Sequence, residues 1–330
     1  MKFPALVNAH DHLELNHYPR TKYRERYDNA REWAADVNTH LNEPPFRELR
    51  AHPLKDRLFI GGLKNLLCGA LYVMHHNPRY NVLFSDNFPV SVVRRYSWSH
   101  SVYYWNQGGR SRADDPHFIH LAEGTDQYAH SEYQWLAEKI DLTNTTVFIH
   151  GVGLTDKDIL DAQEQNIRGL VVCPSTNFYL LGKTAPVEAW VKAGGNVALG
   201  SDSRLTADGD LLDEIALSRK VFPTHIADLL CDPENAAAIL GIMTNDELDY
   251  FIAPSFPHRR AEIQLVVRGG VPQIGDPDAM SEYRRIKTLA CTLDGVPKLM
   301  NMKLARQVEA CSLKEPGLEL GEIPQRRRWF

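Results

Sequence analysis

An apolar run, Ala5-Leu-Val-Asn-Ala9, leads straight into His10-Asp11-His12. A strand that ends in two histidines one residue apart constrains this chain more than any other feature. Alternate residues of a strand share a face, so His10 and His12 point the same way and can grip one ion together. Three more polar residues recur far downstream in the same setting. His120 closes Pro116-His-Phe-Ile-His120, His150 closes Thr146-Val-Phe-Ile-His150, and Asp202 follows Asn196-Val-Ala-Leu-Gly-Ser201. Short unbroken apolar runs of this kind read as parallel strands buried on both faces. In a parallel barrel the C-terminal strand ends converge on one mouth, where such folds place their chemistry. Three imidazoles and a carboxylate with room left for water predict a catalytic zinc or iron site on His10, His12, His120 and Asp202.

The stretch from 116 to 225 has the regular spacing of βα units. Strand ends fall about 30, 23 and 29 residues apart, and helices are expected around 130–140, 156–166 and 185–194. Thr155 with Asp158 reads as a helix-starting capping box. Upstream, Leu54 to Leu67 recur at helical spacing before a second strand, Ala70 to His75. From 77 to 116 the pattern blurs. Val82-Leu83-Phe84 and Ser91-Val92-Val93 read as strands, with too little sequence around them for two complete βα units. Beyond 245, Ala261 to Arg268 alternates and breaks at Gly269-Gly270 as a hairpin would, and residues 280–312 read as helical. The expected organisation is a barrel over 1–245 and a C-terminal appendage over 246–330, made of a β remnant, helices and the basic tail Arg326-Arg-Arg-Trp-Phe330.

Composition narrows the partners. The chain has 330 residues, with 43% hydrophobic, 24% charged and a formal charge of −5. That balance suits a globular enzyme and gives no support for a nucleic-acid or membrane partner. Five scattered cysteines with no Cys-x-x-Cys pair argue against a disulfide framework and a thiolate metal site. No apolar run approaches the roughly 20 residues of a membrane span, and no secretory signal precedes the first strand, so a cytoplasmic location is expected.

Taken together, the motifs resemble the amidohydrolase superfamily, in its cytosine-deaminase, guanine-deaminase and chlorohydrolase branch. Val7-Asn-Ala-His-Asp-His-Leu13 is similar to that branch's first-strand His-x-His, and His120-Leu-Ala-Glu123 to its His-x-x-Glu. His150-Gly-Val-Gly-Leu-Thr-Asp156 is similar to the next histidine strand. Cys173-Pro-Ser-Thr-Asn177 with Leu180 resembles a further strand motif, with Thr176 where Ser is usual, and Leu199-Gly-Ser-Asp-Ser203 resembles strand eight. The resemblance implies an α/β fold of TIM-like (β/α) barrel type, reduced here in the strand 3–4 region. The N-terminal half of the usual β-sandwich is missing, and an apolar face left uncovered by that loss would favour a homo-oligomer. Superfamily members with two metals bridge them with Lys, Glu or Cys from strand four. Residues 77–116 contain none of these, so one divalent ion, zinc or iron, is expected.

The chemistry expected is attack of metal-activated hydroxide on an sp² carbon with loss of nitrogen, as in deamination of an amino-substituted heterocycle or amidine. Glu123 is the natural proton shuttle, His150 polarises the electrophile or holds the hydroxide, and Asp202 is both ligand and proton acceptor. Trp98, Trp105 and Asn177 are candidate substrate contacts. His75 and His76 end the second strand facing the same mouth; the remaining histidines, His100 among them, default to surface or core roles. Two alternatives stay open: hydrolysis of a cyclic amide, urea-type or carbon–halogen bond, and a non-catalytic relative that binds a small molecule or partner.

Overall fold

The computed structural model describes residues 1–103, 112 and 114–322. Its first strand, β1 (Lys2–Pro4), is short and half exposed, and hands over at Ala5 to β2 (Leu6–Asp11), every residue of which is buried. β2 pairs in parallel with β3 (Ala70–His75), and β3 with β4 (Ser91–Val92). A second parallel sheet runs β5 (Ser97–Ser99), β6 (His117–Leu121), β7 (Thr146–His150), β8 (Gly169–Val172) and β9 (Val197–Leu199) in chain order. The Asp202 N–H donates to the His10 carbonyl at 3.0 Å, joining the end of the last strand to the first. β6 to β9 are buried throughout, as continuous apolar runs require when helices cover the outside.

The helices between these strands follow from local chemistry. Asp126 caps Gln127–Lys139, and the Thr155–Asp158 box caps Asp156–Glu164 as the sequence predicts. A second box, Asp210 with Asp213, starts Leu211–Val221. The run from His225 to Leu240 is two helices, Thr224–Cys231 and Pro233–Leu240, because Pro233 cannot continue the first and instead opens the second behind an Asp232 cap.

Three sequence expectations need correction. Between β3 and β6 both strands survive, so the shortening removes helices and not strands among the described residues; Val82-Leu83-Phe84 is a 3₁₀ turn, Asn81–Phe84, of which only Leu83 is buried. Residues 280–312 are only partly helical, with a hairpin in their middle. β13 (Thr288–Leu293) and β14 (Val296–Asn301) form a hairpin whose turn residues Asp294 and Gly295 both take positive φ, and only Pro277–Ser281 and Met302–Ala310 are helical there. The β module is also larger than a remnant. It is a seven-stranded antiparallel sheet ordered β1, β10 (Tyr250–Ile252), β11 (Leu265–Arg268), β12 (Val271–Gly275), β14, β13 and β15 (Leu318–Leu320). Its edge strand comes from the extreme N-terminus, Phe3 opposite Phe251. The apolar face expected beside the first strand is therefore covered: Ala5, Leu6 and Val7 are all buried.

No helix among the described residues is long and apolar enough to cross a membrane. Trp105 and the basic tail lie outside the described residues.

Candidate metal centre and active site

Alternation along β2 sends His10 and His12 to one side and Asp11 to the other. Asp11 is fully buried, and its carboxylate is held by Lys64 at 2.9 Å and by the side-chain amides of Asn16 and Asn65, both at 2.7 Å. Lys64 also donates to the Ser201 hydroxyl at 3.0 Å, tying the His10–His12 strand to the segment that carries Asp202. Gly200 belongs to the same junction. A Cβ there would come within 2.5 Å of the His10 Cβ, so only glycine lets the last strand pass this closely.

The donor atoms gather at the strand ends. Those of His10, His12 and Asp202 lie within 4.8 Å of one another, and so do those of His10, His76 and His120. Nε2 of His10 stands 3.7 Å and Nε2 of His12 3.8 Å from Asp202 Oδ1, while Nε2 of His120 stands 3.3 Å from Nε2 of His10. Ligands held about 2.0–2.1 Å from a tetrahedral ion sit roughly 3.4 Å apart. These residues therefore fit a divalent metal. Asp202 turns its other oxygen to the hydroxyls of Thr176 at 3.0 Å and Thr206 at 3.2 Å. Nδ1 of His120 donates to the His100 carbonyl at 2.8 Å, which leaves Nε2 as the lone pair facing His10. Burial pushes His10, His76 and His120 well below the ordinary histidine range, with mutual repulsion adding to it, so all three stand neutral as metal ligands must.

Glu123 lies beside this nest with Oε1 3.6 Å from Nε2 of His150. Burial raises its carboxyl to about 7, against the pull of His150. Nδ1 of His150 donates to Asn177 Oδ1 at 2.9 Å, fixing which nitrogen faces Glu123. Three bends here take left-handed backbone without glycine: Ala122 (φ 53), His150 (φ 71) and Asp202 (φ 48). Such strain concentrates where side chains must be aimed at a common point.

A cavity of about 390 Å³ opens over the nest, lined by His12, His100, His120, Glu123, His150 and Asp202. Its outer wall comes from helix Ala30–His40, through Ala30, Trp33 and Ala34, with Glu132 and Leu180 completing it.

Most of the sequence-predicted residues thus come together. His10, His12, His120, Asp202, Glu123 and His150 share one site. Asn177 serves that site by orienting His150 and does not line the cavity. Trp98 does not line it either: it is buried, with its ring edge-on to His76 at 5.6 Å. His75 points away from the nest, accepting from the Leu13 N–H at 3.4 Å. His100, expected in a surface or core role, stands at the cavity wall. Glu132 and Trp33 were missed. Glu132 was findable, since Ala129, Glu132, Tyr133 and Leu136 form one apolar helix face with a carboxylate set into it.

No protein-family model matches this sequence. A structure of atrazine chlorohydrolase from Arthrobacter aurescens, complexed with zinc, superposes with TM-score 0.62 at 14% identity, covering 86% of this chain and 87% of that one. Aminofutalosine deaminase from Helicobacter pylori, in complex with methylthio-coformycin, gives TM-score 0.55 at 16% identity over 82% and 86% of the chains. An adenosine deaminase from Xanthomonas campestris with bound zinc gives 0.54 at 15% identity over 86% and 84%. The chain has the amidohydrolase fold. In sequence, this amidohydrolase-like chain matches a 5-methylthioadenosine/S-adenosylhomocysteine deaminase of Thermococcus sibiricus at 28% identity over 157 residues. That match covers 45% of this chain and 35% of the relative, so it spans about a third of the curated protein.

Proposed function

We propose that this chain is a metal-dependent hydrolase that cleaves a carbon–nitrogen bond, deaminating an amino-substituted heterocycle or amidine. The observation that carries this reading is the placement of Glu123. Its carboxyl, held near 7, faces His150 beside a nest of imidazoles and one carboxylate. A group that titrates near neutrality can both accept a proton and return it. The ligand set is His10, His12, His120 and Asp202, with one zinc ion the expected occupant, and the two parallel sheets close around it as a barrel.

A divalent ion at that position supplies Lewis acidity and makes water acidic enough to ionise near pH 7. The chain's own residues do the rest. Glu123 takes a proton from the attacking water and delivers it to the departing nitrogen, so water adds to the sp² carbon, the C–N bond breaks and ammonia leaves. His150, locked by Asn177, holds the incoming water by accepting its O–H at Nε2. Asp202, gripped by Thr176 and Thr206, keeps its free oxygen turned to the histidines. Trp33 and Leu180 give the cavity flat apolar wall for a heterocycle.

Deamination is favoured over halide release because a halide leaves without a proton, whereas an amine requires the acid that Glu123 provides. The deaminases among the similar proteins support the same choice. The test is ammonia and halide release from aminated and halogenated purines, pyrimidines, triazines and pterins, using protein loaded with one equivalent of zinc. Ammonia from at least one amino-heterocycle is expected. Halide release without ammonia would replace this reading with the chlorohydrolase one, and failure to hold metal would remove both.

A further inference from the structure

Arg268 ends β11 half-buried, and its charge is uncompensated. Among the described residues no carboxylate stands within ion-pairing distance of it, and its Nε is buried with no hydrogen-bond partner. Two other enclosed guanidiniums are treated differently: Arg204 and Arg260 both reach Glu315, at 2.6 and 2.5 Å. Burial lowers the Arg268 guanidinium from the ordinary arginine value, against the weaker pull of Asp249 and Asp86. An enclosed cation without a counter-ion is costly and calls for a reason. Arg268 lines a cavity of about 330 Å³ between the β module and the loop that enters β4, together with Ser91, Gln273 and Lys303. A second cavity, of about 540 Å³, adjoins it, sharing Asn87, Asn301, Lys303 and Gln307 and adding Arg285, Lys287 and Arg306. Nε2 of Gln307 donates to the Asn87 carbonyl at 2.8 Å, which fastens the two walls together.

Arg285, Lys287, Lys303 and Arg306 are exposed and, like Arg268, make no ion pair among the described residues. Five such cations on one cleft run against a formal charge of −5 for the whole chain. The two carboxylates of the cleft do not cancel them. Asp249 spends its oxygens on the Tyr72 hydroxyl and the Gly269 N–H, both at 2.6 Å, and Asp86 is exposed. We propose that this cleft binds a small ligand carrying two or more phosphate groups, held by Arg268 and Lys303 at one end and by Arg285, Lys287 and Arg306 at the other. Guanidinium groups offer paired N–H donors that match phosphate oxygens, and lysine adds a point charge. Lys303 lines both cavities and so bridges neighbouring phosphates. Two small adjoining cavities suit a compact polyanion; an extended nucleic-acid backbone needs a basic stripe. The cleft shares no lining residue with the cavity over the metal centre. Ser91 opens β4, so the cleft lies at the entering end of that strand, away from the strand ends that gather the histidines. The site stands independently of the deaminase reading, and a ligand bound there stabilises the junction of barrel and β module by mass action.

The test is calorimetric titration of the metal-loaded chain with pyrophosphate, inorganic phosphate and adenosine diphosphate at a fixed ionic strength of about 0.15 M. Metal content is checked before and after, because pyrophosphate chelates. Pyrophosphate is expected to bind more tightly than phosphate. Adenosine diphosphate binding more tightly than pyrophosphate would name a nucleotide as the source of the phosphates, and equal binding the free polyphosphate. Arg268→Met and Arg306→Met are each expected to weaken pyrophosphate binding by about tenfold or more, and Lys157→Met, which removes an exposed cation elsewhere, should change nothing. Without pyrophosphate, Arg268→Met should unfold at or above the wild-type midpoint, since it removes an uncompensated enclosed charge; an arginine that serves only to hold the fold would lower it. Arg306 is exposed, so its variant keeps the test decisive even if Arg268→Met fails to fold. Native pyrophosphate affinity in both variants, or a wild-type chain that binds no pyrophosphate at millimolar concentration, overturns the proposal. So does Arg268-dependent binding of a single-stranded RNA oligomer by a chain that ignores pyrophosphate.

Discussion

The carboxylate of Glu132 accepts the backbone N–H of Ala122 at 2.6 Å, at the left-handed bend between His120 and Glu123. One residue on a neighbouring helix thus fixes the turn that aims the proposed ligand and the proposed proton shuttle in different directions. Glu132→Ala orphans a buried N–H, at a cost of about 1–3 kcal/mol. Urea unfolding is expected to show that loss, and turnover is expected to fall with metal content unchanged. Glu132→Gln, which still offers a carbonyl oxygen, should restore both. A Gln variant as impaired as the Ala variant would show that the negative charge, and not the hydrogen bond, is what matters.

Glu123→Gln keeps the size of the proposed shuttle and removes its ability to accept a proton. Turnover is expected to drop by roughly 10²–10⁴, the usual worth of a positioned acid–base, with substrate binding near normal. Metal analysis is the discriminating measurement. Loss of the ion would make Glu123 a ligand.

Thr176→Val removes the shorter of the two hydroxyl bonds to Asp202. Metal affinity, measured by chelator competition, is expected to weaken by about 10–100-fold, and Thr176→Ser should recover most of it. If Val binds metal as tightly as Thr, the Thr206 hydroxyl suffices to hold Asp202.

Lys64→Met strips the cation from a fully buried pair and leaves the Asp11 side chain in the core without it. Breaking such a pair costs about 3–5 kcal/mol, which should appear as a lowered denaturation midpoint at unchanged slope. A loss below about 1 kcal/mol would mean that the amides of Asn16 and Asn65 satisfy Asp11 without the lysine.

Glu214 is fully buried, accepts the Ser175 N–H at 3.0 Å and is raised to about 8, chiefly by burial. Between the ordinary glutamate value and 8 the folded chain keeps a proton that the unfolded chain has lost. Its contribution is therefore complete at low pH and declines as pH rises, by up to about 1.4 kcal/mol per unit. With metal content held constant, Glu214→Gln should gain stability relative to wild type between pH 5 and 8. Parallel stability profiles for the two proteins would contradict this assignment.

The parts of this molecule legible in its sequence are those in which one residue type has one physical use. A histidine ending an apolar strand, a threonine three residues before an aspartate and a proline opening a helix each fix local structure with little help from elsewhere. His10, His120, His150 and Asp202 were visible for that reason. His100 and Trp33 were not, because their roles depend on which segment passes over the mouth, and spacing carries no such information. The 288–301 hairpin was misread as helix because Leu289, Cys291 and Leu293 alternate inward only once the sheet is present to receive them. The helix-free stretch before β5 was readable as a shortage of length, though not as the survival of both strands.

The pairing of β1 with β10 sets the order in which this protein can be finished. Lys2–Pro4 stand six to eight residues before His10, yet their hydrogen-bonding partners are Tyr250–Ile252. The amino group of Met1 likewise donates to the Ala253 carbonyl at 2.7 Å. During synthesis the segment that leads into the two-histidine strand is made well before its partners at 250–252. The antiparallel sheet therefore reaches back across the whole barrel sequence for its edge strand, so the segment that enters the two-histidine strand is held by residues made some 240 positions later.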